Sequence, residues 1–89
     1  MNSTTGGEFW KLFAKLPTDV QRQARAAFEL FLRDPAHGSL QFKLLDRRRH
    51  LYSVRVGLSY RALALRTNDQ VVWFWIGSHA EYDHLNFNP

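Results

Sequence analysis

Two arginines, Arg55 and Arg61, interrupt an otherwise apolar and β-branched stretch of the chain. A histidine, His79, follows the last apolar run, with Glu81, Tyr82, Asp83 and His84 close behind it. Guanidinium groups bind phosphate oxygens in pairs. An imidazole changes charge near neutral pH and moves protons, and a phenol ring stacks on a nucleobase. Together these types suit cleavage of RNA through its own 2′-hydroxyl. A base takes the hydroxyl proton, the alkoxide attacks the adjacent phosphorus, and an acid protonates the departing 5′ oxygen. Arginine stabilises the charge that builds on the non-bridging oxygens. Lys43 and the run Arg47, Arg48 and Arg49 add cations for further backbone phosphates.

Taken singly, each of these residues has a plainer reading. A lone histidine after a strand is most often solvated or capping. Arg55 pairs equally well with Asp46 or Glu81, Tyr82 fits a core, and an arginine run is usually a solvated loop. His79, Glu81, Asp83 and His84 are metal-ligand types, but neither cysteine nor a recognised ligand spacing accompanies them, so neither a metal nor a cofactor is expected. Gly-rich nucleotide loops and nucleophile signatures are absent.

The elements that must position these residues are legible. Phe9, Leu12, Phe13 and Leu16 recur on one face of a short helix from Glu8, which Pro17 ends. Val20, Ala24, Ala27, Phe28 and Phe31 make the stripe of a second helix from Thr18 to Arg33, and Asp34-Pro35 stops it. Four strands follow, near Leu40–Leu45, Leu51–Val56, Tyr60–Arg66 and Val71–Gly77. The expected fold is α+β, with the helical hairpin packed on a mostly antiparallel four-stranded sheet. Residues 1–7 are polar and Gly-rich and are expected to fray. Asn68-Asp69 suits a two-residue hairpin turn that pairs Thr67 with Gln70. Continued without interruption, that register sets Ala64 opposite Trp73, Leu63 opposite Phe74, Ala62 opposite Trp75 and Arg61 opposite Ile76. A three-residue loop at Gly57-Leu58-Ser59 sets Arg55 directly opposite Arg61, a like-charge pair that a purely structural sheet avoids. It also gathers Arg55, Arg61 and His79 at one end of the sheet. The last strand is apolar on both faces, and the two helices cover only one. The other needs the C-terminal segment, a second copy or a partner chain.

Composition bounds the rest. Eighty-nine residues make one domain, and a chain that is 45% hydrophobic and 22% charged is an ordinary globular one. There is no cysteine, so the core rests on aromatics, seven Phe, three Trp and three Tyr. Twelve Lys+Arg against eight Asp+Glu leave a net charge of +4. A basic, arginine-rich domain suits a polyanion or an acidic partner. No apolar run is long enough to span a membrane, and no signal peptide is visible, so a cytoplasmic location is expected.

The chain resembles the RelE/ParE superfamily of bacterial type II toxin–antitoxin toxins, from Phe9 to Leu85. The resemblance is carried by LPTDVQRQARAAF in the second helix, DPAHGSLQFKLL entering the sheet, YSVRVGLSYRAL across the first hairpin and VVWFWIGSHAEYDHL at the end. It implies a RelE-like fold and a cognate antitoxin partner. It also implies metal-independent cleavage of mRNA on the ribosome, blocking translation, as in RelE-type members, or inhibition of DNA gyrase, as in ParE-type members. A third option is a toxin that only binds its antitoxin. By the resemblance Arg55 and Arg61 match the basic positions of the family's hairpin and hold the scissile phosphate. His79 matches the basic residue after the last strand and is the acid/base, with Glu81 as helper and Tyr82 stacking on a base. Lys43 and Arg47 to Arg49 contact the RNA backbone. The chain departs from the family pattern at Ser53, where RelE-type toxins carry a basic residue, at His79, where RelE has arginine, and at the start, which is polar where the family has a strand.

Overall fold

A computed structural model of the chain describes residues 2–85. The helices form where the apolar spacing predicts. Helix α1 spans Gly7–Ala14 and buries Phe9 and Phe13. Helix α2 spans Thr18–Arg33 and buries Val20, Ala24 and Phe31. The Gln21 amide donates to the carbonyls of Phe13 and Leu16, tying the start of α2 to the end of α1. After a 3-10 turn at Gly38–Leu40 come β2 (Lys43–Asp46), β3 (Leu51–Val56), β4 (Tyr60–Thr67) and β5 (Gln70–Ser78), and the chain closes with a short helix α3 (His79–Asp83).

Two expectations about the sheet are corrected. The sheet among the described residues has five strands, in the order β1-β5-β4-β3-β2, because Asn2–Thr5 forms β1 and runs parallel to β5. The N-terminus is therefore paired rather than frayed. Its polar composition hid it, and what holds it is the β5 backbone together with the Trp73 indole, which donates to the Ser3 hydroxyl at 2.6 Å. The first expected strand is also shorter. Gln41 adopts a left-handed backbone (φ 46°), which separates the 3-10 turn holding buried Leu40 from β2.

The register of the first hairpin is as read, with Arg55 opposite Arg61. That of the second holds from Thr67–Gln70 to Ala64–Trp73 and then shifts. Leu63 pairs with Trp75, Ala62 with Ile76 and Arg61 with Gly77, so Phe74 is an extra residue, a β-bulge. The bulge reverses the faces of the rest of β5. Val71, Trp73 and Ile76 lie with Phe9, Ala24, Phe31, Val54, Val56, Ala62 and Ala64 in the core beneath the helices. Phe74 and Trp75 both join the opposite face, where they pack with Leu51, Leu63, Tyr82 and Leu85. The second face is thus covered in part by the chain's own C-terminal segment. No helix is long and apolar enough to cross a membrane.

The contact between Trp73 and Ser3 gives a direct test of β1. Ser3→Ala leaves a buried indole N–H without its partner, a cost of roughly 1–3 kcal/mol. For a domain of this size each lost kcal/mol lowers the melting temperature by roughly 4–8 °C. Thermal unfolding should show that drop. An unchanged melting temperature would mean that the Ser3–Trp73 contact does not stabilise the fold and that backbone pairing alone holds β1.

Candidate active site

The site grows from the end of the sheet where the β3–β4 turn meets the end of β5. Gly57 takes a left-handed backbone (φ 59°) in that turn, and a Cβ there would collide with the Gln23 side chain of α2. The Arg55 and Arg61 side chains leave the same face of neighbouring strands, yet their heads diverge. Arg55 Nε donates to the Gly57 carbonyl at 2.9 Å. Arg61 Nε donates to Nδ1 of His79 at 3.3 Å, and its guanidinium carbon stands 5.4 Å from the centre of the Tyr82 ring. Separate acceptors thus keep two like charges apart. Neither guanidinium has a carboxylate partner among the described residues.

The start of α3 fixes His79. Ser78 is its N-cap. The Ser78 hydroxyl accepts from the Glu81 N–H at 3.1 Å, and the Glu81 carboxylate accepts from the Ser78 N–H at 2.8 Å, a reciprocal capping box. The His79 N–H donates to the Ser59 carbonyl at 2.7 Å, which pins the helix to the β3–β4 turn. A donor at Nδ1 requires that nitrogen to accept, so neutral His79 carries its proton on Nε2. Nε2 faces Oδ1 of Asp83 at 3.7 Å, one helical turn on. Gly77, opposite Arg61, has no room for a side chain. A Cβ there would fall 2.6 Å from the Trp75 ring and 3.1 Å from Glu81 Oε1.

Arg61, His79 and Tyr82 are therefore brought together, Arg55 stands opposite Arg61 on the neighbouring strand with its head on the Gly57 carbonyl, and Glu81 joins them as the cap that holds His79 in place. Tyr82 is 7% exposed, packs with Leu51 and Leu63, and has the Arg61 guanidinium over its ring. It supports the arginine from below rather than presenting a free face to a base. Lys43 is exposed on β2 and pairs with Ser53, on the same face as Arg55. Arg47, Arg48 and Arg49 are not part of the cluster. They lie in the β2–β3 turn at the far end of β3, about 17 Å away at the rise of a six-residue strand. There the Asp46 carboxylate accepts from the N–H groups of Arg48 and Arg49 and pairs with the Arg49 side chain at 3.4 Å. Among the described residues, no group of three or more His, Asp or Glu side chains could hold a metal ion.

The roles of Asp83 and Ser53, and the short helix that carries His79, escaped the sequence reading. Asp83 sits at the i+4 helical position from His79. The helix was itself readable, because Ser78 followed by Glu81 at the third position is a capping-box signature. Ser53 is fully buried beside the arginines; the sequence marks it only as a departure from the family's basic residue, not as a neighbour of Arg61.

Two helices on one face of this sheet, with a basic cluster where the β3–β4 turn meets the end of β5, define the class of RelE/ParE-type toxins. Residues 18–84 match the ParE-like toxin domain, and the chain belongs to that family. The RelB–RelE antitoxin–toxin complex from Methanococcus jannaschii holds a similar chain, with 17% identity and a TM-score of 0.73 over 92% of this chain and 98% of that one. YafQ from E. coli is similar at 14% identity and a TM-score of 0.69, over 91% and 96% of the two chains. A chain of the RelBE2 toxin–antitoxin complex from Mycobacterium tuberculosis aligns at 23% identity and a TM-score of 0.62, over 89% and 91%. No curated protein matches by sequence.

The capping box separates two roles for Glu81. Glutamine caps as glutamate does, so Glu81→Gln should keep both stability and activity, whereas Glu81→Ala should lose both by fraying α3. Thermal melts and toxicity assays in cells check this. Loss of activity in Glu81→Gln with an unchanged melt would give the carboxylate a part in proton transfer.

Proposed function

We propose that this chain is the toxin of a type II toxin–antitoxin pair and a metal-independent endoribonuclease that cleaves mRNA on the ribosome and so blocks translation. The observation that carries the reading is Arg61. It is a guanidinium without a carboxylate partner among the described residues, held by His79 and Tyr82 and placed opposite a second arginine. Such an arrangement is what a scissile phosphate needs and what a structural ion pair does not provide.

In this reading the phosphate sits between Arg55 and Arg61. The 2′-hydroxyl gives its proton to water, and its oxygen bonds to phosphorus. The bond from phosphorus to the 5′ oxygen breaks, and His79, entering the step as the imidazolium with the Arg61 Nε contact at Nδ1 released, donates the Nε2 proton to that oxygen and is left neutral. The products are a 2′,3′-cyclic phosphate and a free 5′-hydroxyl. Arg61 neutralises the charge on the non-bridging oxygens, and Asp83 stabilises His79 whenever it is positively charged. Lys43 extends the basic strip across the same face, and Arg47 to Arg49 meet more distant phosphates. A small acidic antitoxin is the protein partner, consistent with the +4 charge and with the complexes in which similar folds occur.

His79→Ala should slow single-turnover cleavage of ribosome-bound mRNA by roughly 10²–10⁴-fold while leaving ribosome binding nearly unchanged. Arg61→Ala should abolish cleavage with the fold intact. A substrate with a 2′-deoxy sugar at the scissile position should resist the wild type. Full activity in both variants would remove the ribonuclease reading. Poisoning of DNA gyrase by the wild type would put the ParE-type reading in its place.

A further inference from the structure

Two buried side-chain atoms lack a hydrogen-bond partner among the described protein groups, the hydroxyl of Ser53 and Nη1 of Arg61. They are not scattered. Ser53 pairs across the strands with Leu63, and Arg61 lies two residues before Leu63 on β4. The two side chains therefore leave one face of neighbouring strands at diagonal positions, a separation that a long side chain spans. Their chemistry is complementary, since a guanidinium N–H only donates and a hydroxyl oxygen accepts. The pairing partners and same-face neighbours of Ser53 include Leu51 and Leu63, both fully packed. Packing alone would favour alanine or valine there, because a buried hydroxyl without a partner is costly.

We propose that Ser53 is a positioning residue for Arg61. Its hydroxyl holds the inner Nη1 through one bridging water, which fixes the plane of the guanidinium. With Nε on His79, the ring of Tyr82 against the flat face and Nη1 on Ser53, the group left to meet a phosphate oxygen is Nη2. One water satisfies both orphaned atoms, because it accepts from Nη1 and donates to the serine oxygen. The inference rests on the reading of Arg61 as a phosphate ligand, and it adds that the arginine is held at three points before any substrate arrives.

The test titrates inorganic phosphate into the purified chain by calorimetry and compares the wild type with Ser53→Ala, Ser53→Thr and Arg61→Ala. Ser53→Ala should melt at or above the wild-type temperature yet bind phosphate about three- to tenfold more weakly, the worth of one hydrogen bond. Ser53→Thr, which keeps the hydroxyl, should restore binding. Equal affinity in Ser53→Ala and the wild type overturns the proposal, whatever the melting temperatures. Equal losses in Ser53→Ala and Ser53→Thr overturn it as well, because size rather than the hydroxyl would then be at work. Phosphate binding is read without cleavage. A wild type that binds phosphate through Arg61 but cuts no RNA would therefore sink the ribonuclease reading and leave this one standing. A wild type that binds no phosphate would sink both.

Discussion

Between Leu63 and Ala64 on one strand and Trp73 and Trp75 on the next, β5 carries one residue more than its partner. Most of the site depends on that bulge. Without it Ile76 would point away from the helices and Trp75 into them, and Arg61 would face an isoleucine. With it Ile76 enters the main core, Trp75 turns to the other face, and a glycine stands opposite Arg61. The Trp75 ring lies across the space that a side chain at Gly77 would fill. Only then does Ser78 arrive opposite Tyr60, in place to cap α3 and set His79 beside Arg61. A bulge next to a functional cluster is a common device for re-aiming a side chain.

The cluster is assembled from three separately stabilised pieces. The β3–β4 hairpin brings two like charges to one face and gives each its own acceptor. The capping box anchors a helix too short to be stable alone. The small second core of Leu51, Leu63, Tyr82, Phe74 and Trp75 fastens that helix to the sheet, and Tyr82 belongs to both this core and the arginine's support. Stability and positioning therefore meet in the same residues. Substitutions in the second core should be read for lost activity as well as lost stability.

Much of this was legible in the sequence. The helices followed from the spacing of Phe9 and Phe13 and of Val20, Ala24 and Phe31. The Arg55–Arg61 pairing followed from a three-residue turn. The register failed from Leu63 onward because pattern reading assumes strict alternation, and nothing in VVWFWIG marks Phe74 as the extra residue when every nearby side chain is apolar. The first strand was missed because NSTT has no apolar alternation. Its pairing is carried by the backbone and by the contact of Ser3 with Trp73, seventy positions on. Tyr82 was recognised as important but for another reason, since sequence alone does not tell a ring packed under an arginine from one offered to a base.

In the proposed function Arg61 and His79 form a phosphoryl-transfer site acting on translated RNA. Mapping transcript 5′ ends in cells after brief expression of the chain tests it most directly. The account predicts new ends within translated codons, lost with Arg61→Ala and His79→Ala and suppressed when translation initiation is blocked. An unchanged set of transcript ends in growth-arrested cells, with double-strand breaks or altered supercoiling in DNA, would contradict it.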